Sequence, residues 1–381
     1  MSAPASPNWG IILVNFLGVG SQLNELYITP SLLKPAEWDA LGSSLQWAVA
    51  NAHPLLDNGA WVLDDPAKRE PYGYLHYSPE KTILALRNPF VRPAVANVKL
   101  VEAAGFEPSA NTFQAEVAYP YRQVLPGALR YGDTLRVNLD GYDQQIIELR
   151  PIAAGEARLA GVRYSLEAAA QNEVGFKLYA SDGANILAEL SQPSAYETAR
   201  NDGEKVELKA GGETAPLALH FGKKNARESQ PAFNAPTIHA TADGVVTVAI
   251  NVQVPPDFRE SQASLLLESA AAGLEVKAEA RDNAQPVTVA VVKSPQGAWH
   301  WFTLDLAPGS HALEFDLHLP AAALNGTQLS GWLRSKRALA AKDLRLTMRS
   351  GEKLAAPPAN LLPASTEVEK LTYALFEETA L

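Results

Sequence analysis

The side chains whose type and spacing could do chemistry are a few carboxylates and a set of aromatic rings. Glu25 lies just past the apolar run Ile11 to Gly20 (IILVNFLGVG), and Asp64, Asp65 and Glu70 lie between Trp61 and Tyr72. Hydrolysis of a glycosidic bond needs two carboxyls roughly 5 to 9.5 Å apart, one as acid and one as base or nucleophile. Nothing in the spacing fixes such a pair. A solvated loop carboxylate or a structural ion pair accounts equally for Glu25. Trp61, Tyr72, Tyr74 and Tyr77 fall close together, and period-two alternation puts Tyr72, Tyr74 and His76 on one strand face. Such rings stack on the C–H faces of sugars and offer wide contact area at low entropy cost. The competing reading is sandwich core with tyrosine hydroxyls at its edge. Trp299-His300-Trp301 repeats the alternation, again as a sugar platform or as core packing. Tyr27, beside Glu25, completes the candidate carbohydrate-binding set of Glu25, Tyr27, Trp61, Tyr72, Tyr74, Trp299 and Trp301.

Composition removes many other chemistries. The 381 residues contain no cysteine, which excludes disulfides, thiolate metal sites and a cysteine nucleophile. Gly18-Val19-Gly20 is only a GxG, without the third glycine or the following helix of a dinucleotide site. There is no G-x-S-x-G elbow. The 7 histidines include no H-x-x-x-H pair, so neither a metal nor a cofactor is expected. A net charge of -10, from 42 acidic and 32 basic residues, argues against nucleic acid or an anionic membrane as partner. The run at 11–20 is about half of the roughly 20 residues a bilayer crossing needs. It also lacks a basic lead-in and is interrupted by Asn15, so it does not read as an export signal. At 47% hydrophobic and 19% charged, the chain is not disordered, and its length suits two or three domains.

The elements that must position these residues read as mainly β. Ile11 to Gly20 reads as a buried strand. Pro35 opens a helix with Trp38, Leu41, Leu45 and Val49 at helical spacing, stopped by Pro54. This is a lone βα unit, which cannot cover its own apolar side. From residue 60 the period becomes two. Tyr72–Tyr77 and Thr82–Arg87 read as a hairpin, and short strands follow near 98–101, 113–117, 135–139 and 144–149. More strands are expected at 157–168, 175–180 and 186–190. Polar loops or a linker follow over Ser191 to Gly212, then strong alternation at 244–254 and strands through 333. The tail from Ser365 reads as a short amphipathic helix through Val368, Leu371 and Leu375. The expected architecture is mainly β. Residues 1–58 form a βα segment, 59–152 a first antiparallel sandwich and 153–212 strands and linker. Residues 213–364 form a second, jelly-roll-like sandwich and 365–381 a terminal helix.

The stretches Leu23-Asn24-Glu25-Leu26-Tyr27, Glu70-Pro71-Tyr72-Gly73-Tyr74, Ile83–Asn88 (ILALRN) and Val137–Tyr142 leading to Glu148–Pro151 carry a family resemblance. Residues 10 to 152 resemble the C-terminal portion of bacterial glycoside hydrolases of the α-galactosidase-like (melibiase) type. There, the last βα unit of a TIM barrel is followed by an antiparallel sandwich. The resemblance implies a bacterial, secreted or periplasmic parent. It also implies that the catalytic aspartates would lie on earlier barrel strands, so no catalytic residue is assigned to this chain. The expected function is therefore a non-catalytic, carbohydrate-associated module. The alternatives are a structural or adhesive protein-binding β-protein, and a hydrolase using Glu25 with Asp64 or Asp65.

Overall fold

The computed structural model describes residues 9–21, 23–57, 59–152, 158–170, 172–208, 212–222, 228–270, 273–349 and 360–381. Three helices come first: α1 (Trp9–Gly18), α2 (Pro35–Ala50) and α3 (Ala52–Asp57). Eight strands follow: β1 (Gly59–Leu63), β2 (Tyr72–His76), β3 (Thr82–Arg87), β4 (Ala94–Lys99), β5 (Phe113–Tyr119), β6 (Gln123–Val124), β7 (Thr134–Leu139) and β8 (Gln144–Pro151). The protein is mainly β, with antiparallel sheets, as the period-two patterning requires. The hairpin expected at 72–87 forms in register, Tyr74 opposite Ala85.

The chain divides into two compact units, Met1–Arg227 with Leu339–Glu367, and Glu228–Ala338 with Val368–Leu381. In the first unit, the sheet β1-β2-β3-β8-β5 carries Val62, Leu75, Leu84, Ile147 and Leu149 on one face. The β4-β7 ribbon packs Ala96, Val98, Leu135 and Val137 against them. The hydrogen-bond ladder continues through β6 into strands 163–170, 173–180, 340–348 and 196–201. These enclose a second core around Tyr164, Phe176, Leu190, Leu217 and Leu346, closed on the other side by the pair 185–191 and 214–220. The second unit is a sandwich of two sheets, one built on 245–254 and 309–318, the other on 299–306, 258–269, 327–338 and 368–380. Its core holds Val248, Ile250, Phe258, Leu265, Phe302 and Phe315.

Four expectations are corrected. Residues 11–20 do not form a strand; α1 occupies that run, so the first segment is helical and no βα unit of a barrel precedes β1 among the described residues. A short apolar run is compatible with either element. Here Val14 and Leu17 lie in a cluster with Ile83, Ala85 and Ile146, on the side of the sheet away from β4-β7, and Leu13 is buried beside them in sequence. A helix satisfies its own backbone groups, so α1 covers that face without a pairing partner. Pro54 does not stop a helix but sits in the first turn of α3, where a missing N–H costs nothing. The tail is strand Val368–Ala380, not helix. It pairs with 327–338 through two register shifts near Gly331, and Leu371, Tyr373, Leu375 and Phe376 all reach the core despite their uneven spacing. The stretch 191–212 is not only linker: Tyr196–Asn201 and Glu204–Val206 are strands.

The α2 stripe also differs. Leu41, Ser44 and Trp47 are buried, while Trp38, Leu45 and Val49 face outward with Ile12 and Phe16 of α1. Among the described residues, no helix is long and apolar enough to cross a membrane.

Candidate functional site

β1 and β2 pair antiparallel with Trp61 opposite Tyr74 and Leu63 opposite Tyr72. Cross-strand and diagonal neighbours on one face lie within reach of aromatic side chains. Trp61 lies face to face with Tyr72, ring centres 5.2 Å apart and planes 11° apart, and meets Tyr74 edge-on at 5.3 Å and 81°. His76 continues the row, 6.4 Å from Tyr74. The inward positions of β2 are Gly73 and Leu75. A Cβ on Gly73 would lie 2.3 Å from the Ala85 carbonyl oxygen, so only glycine lets β2 and β3 close here. The inward residues pin the hairpin, and the outward ones form the aromatic row.

The row has an open end and a closed end. Trp61 is 49% exposed and Tyr72 and Tyr74 are half-buried. The Tyr72 hydroxyl accepts from Arg87 Nη1 at 3.5 Å. Burial, and then the neighbouring Tyr72, push the Tyr74 hydroxyl above the ordinary tyrosine range, which keeps it a neutral donor. His76 is fully buried. The Gly18 carbonyl at the end of α1 can only accept, so Nε2 of His76 carries the proton and donates to it at 2.9 Å. Nδ1 has no hydrogen-bond partner among the described residues. Gly20, at φ +79°, lies over the ring, and a Cβ there would be 2.3 Å from the Leu55 carbonyl oxygen. The structure thus joins Trp61, Tyr72 and Tyr74, while Tyr77 turns into the core against Phe106.

The other predicted residues are elsewhere. Tyr27, 92% exposed, donates its hydroxyl to Glu25 Oε2 at 2.8 Å, and no described ring contact or hydrogen bond joins this pair to Trp61. Asp65 caps a short turn, accepting from the Ala67 N–H at 2.9 Å, and Glu70 Oε2 accepts from the Asp65 N–H. Those two carboxylates therefore shape the loop between β1 and β2. Trp299 and Trp301 belong to the second unit. They alternate with buried His300 and Phe302 and so lie on the outer face of their sheet, with exposed Val292 opposite Trp301.

A second site was missed from sequence. Glu116 on β5 pairs directly with Glu148 on β8, on the helix-covered side of the sheet. Glu148 accepts from Trp47 Nε1 at 3.1 Å and from Lys81 Nζ at 2.7 Å, and Lys81 also donates to Asn51 Oδ1 at 2.7 Å. Glu116 accepts from Arg122 Nε at 2.6 Å, from Arg150 at 2.9 Å and from the Tyr164 hydroxyl at 2.9 Å. Burial lowers the affinity of Arg122 for its proton, but Tyr164 and Glu116 outweigh it, so the net shift is upward. The same enclosure, with Glu116, drives the Tyr164 hydroxyl far up. Trp47, Asn51, Lys81, Glu116, Arg122 and Glu148 line a cleft of about 100 Å³. A glutamate inside each apolar strand, FQAEVAY and QQIIELRP, was the available signal. Among the described residues, no group of three or more histidine and carboxylate side chains is placed to hold a metal ion.

No family model matches the chain, and no curated protein matches it. Solved structures similar to it include a protein of Bacillus halodurans C-125 assigned as an alpha-N-acetylgalactosaminidase, with 12% identity over 38% of this chain and 30% of that one at a TM-score of 0.28. Another is an isomalto-dextranase of Arthrobacter globiformis T6 complexed with panose, with 11% identity over 91% of this chain and 48% of that one at a TM-score of 0.25. A third is the major pilin subunit of Bacillus cereus, with 10% identity over 74% of this chain and 85% of that one at a TM-score of 0.21. The chain thus spans less than half the length of the first two. Likenesses this weak carry no argument about fold or activity.

Proposed function

We propose that this chain is a non-catalytic, carbohydrate-associated region of a glycoside-hydrolase-like protein, whose sandwiches hold a sugar chain and stabilise a larger whole. The observation that carries the reading is the Trp61–Tyr72–Tyr74 row. It is a fixed, partly exposed set of rings whose inward neighbours are locked in the core. Ring faces take up the C–H faces of a pyranose, and hydroxyls at their edge take up its oxygens. The net charge of -10 favours neutral over polyanionic glycans. The resemblance of the 72–88 hairpin to the tails of melibiase-type enzymes supports the same reading. Trp299 and Trp301 are a second outward-facing aromatic pair that suits the same ligand class.

The test is binding of the full chain to a panel of neutral oligosaccharides, followed by titration calorimetry. Trp61→Ala is expected to weaken binding about tenfold, the size of one lost stacking contact. Silence across neutral glycans, or affinity indifferent to Trp61→Ala, would refute it. One observation favours a second reading, a protein-docking module: Ile12, Phe16, Trp38, Leu45 and Val49 are all exposed on α1 and α2. Stoichiometric capture of a protein partner without sugar dependence would support that reading instead.

A further inference from the structure

Where α2 and α3 cover the sheet, the contact is apolar through Trp47, Leu55, Ile83, Ala85 and Ile146. It turns polar at Glu116 and Glu148. Like charges directly opposite on adjacent strands oppose pairing, and charges held away from water are costly even when paired. Apolar residues would close this layer at lower cost. Instead the chain sets two carboxylates, Lys81, Arg122 and Asn51 around an open cleft walled by the buried ring of Trp47.

The arrangement is selective. Acceptors on Glu148 and Glu116 alternate with donors on Lys81 and Arg122, so an anion meets two carboxylates and a cation meets two cationic groups. A hydroxyl is donor and acceptor at once and satisfies both kinds of neighbour. Each carboxylate oxygen has two lone pairs, and Glu148 Oε1 and Oε2 use one each on Trp47 and Lys81. The volume of about 100 Å³ holds about three waters at ~30 Å³ each, so the cleft takes in one edge of a small ring, the rest facing solvent, and not a chain. We propose that this cleft binds a single neutral, hydroxyl-rich ring of monosaccharide size. Its C–H edge lies toward Trp47 and its hydroxyls bridge Glu148 and Lys81 to Glu116 and Arg122. This site is independent of the aromatic row and does not rest on it.

The experiment follows the indole N–H resonance of Trp47 in ¹⁵N-labelled full-length protein during titration with D-glucose, D-galactose, glucuronate and glucosamine. A saturable shift is expected with a neutral sugar, and weaker binding with the charged pair. Glu148→Gln, which keeps the shape and drops the charge, is expected to weaken binding about tenfold, the scale of one charge-assisted hydrogen bond. Ala50→Phe places a ring at an exposed position lining the cleft and is expected to abolish binding while leaving the melting temperature unchanged. Trp61→Ala is expected to leave this titration intact, so failure here and failure of the aromatic row are read separately. The inference is overturned by no saturable shift with either neutral sugar or by a shift that survives Ala50→Phe. Tighter binding of glucuronate or glucosamine than of the neutral sugars also overturns it.

Discussion

Acidification should loosen the first unit through one side chain, His76. Its ring is fully buried, Nε2–H is committed to the Gly18 carbonyl, and Nδ1 has no hydrogen-bond partner among the described residues. The groups around it are Tyr74, Gly20, Gly59 and the Gly18 carbonyl; among the described residues no carboxylate acts on it to stabilise a second proton. Burial therefore pushes its pKa below the ordinary histidine value, with the Gly18 hydrogen bond acting weakly the other way. The unfolded chain titrates near 6.5, so below that pH it binds a proton that the folded chain refuses. The stabilisation from His76 is complete above about pH 6.5. It is lost as pH falls toward the lowered folded value, at a limiting slope of about 1.4 kcal/mol per pH unit. Urea denaturation between pH 7.5 and 5, at constant m-value, measures this. His76→Gln keeps an N–H for Gly18 and cannot titrate, so the wild-type curve should fall away from the mutant curve as pH drops, the other histidines and the carboxylates cancelling in the difference. Parallel curves, or a His76 imidazole titrating at or above 6.5 by NMR, would refute the argument.

The remaining predictions concern stability. A Cβ on Gly59 would meet His76 Cε1 at 2.8 Å and Nδ1 at 3.0 Å, so Gly59→Ala should cost about 1–3 kcal/mol in denaturant unfolding. The same substitution at Gly42 in α2, where a Cβ meets nothing within 4 Å, should be neutral or stabilise by up to ~1 kcal/mol. Glu116→Ala strips Arg122, whose side chain is 7% exposed, of its counter-ion and should cost about 3–5 kcal/mol by the same measurement. Glu116→Gln, which retains the hydrogen-bond acceptor, should cost less.

The sequence by itself determined the local grammar: the hairpin at 72–87, the helix opened by Pro35 and the alternating strands of both units. It also determined that Tyr72, Tyr74 and His76 would share a face, which Trp61 joins only through the pairing of β1 with β2. Each of these depends on periodicity or turn chemistry within a few residues, and that information is written in the order of the chain. Tertiary structure decided the rest. Ile11 to Gly18 became helix because a sheet face needed cover; the tail became strand because 327–338 offered a pairing edge. Residues 340–348 return to pair with 173–180 and 196–201, a join across well over a hundred residues that no local signal announces. The cleft is of the same kind. Glu116 and Glu148 are isolated charges in apolar strands until β5 and β8 pair, and only then do Trp47 of α2, Lys81 of the β2–β3 turn and Arg122 of the β5–β6 turn converge on them.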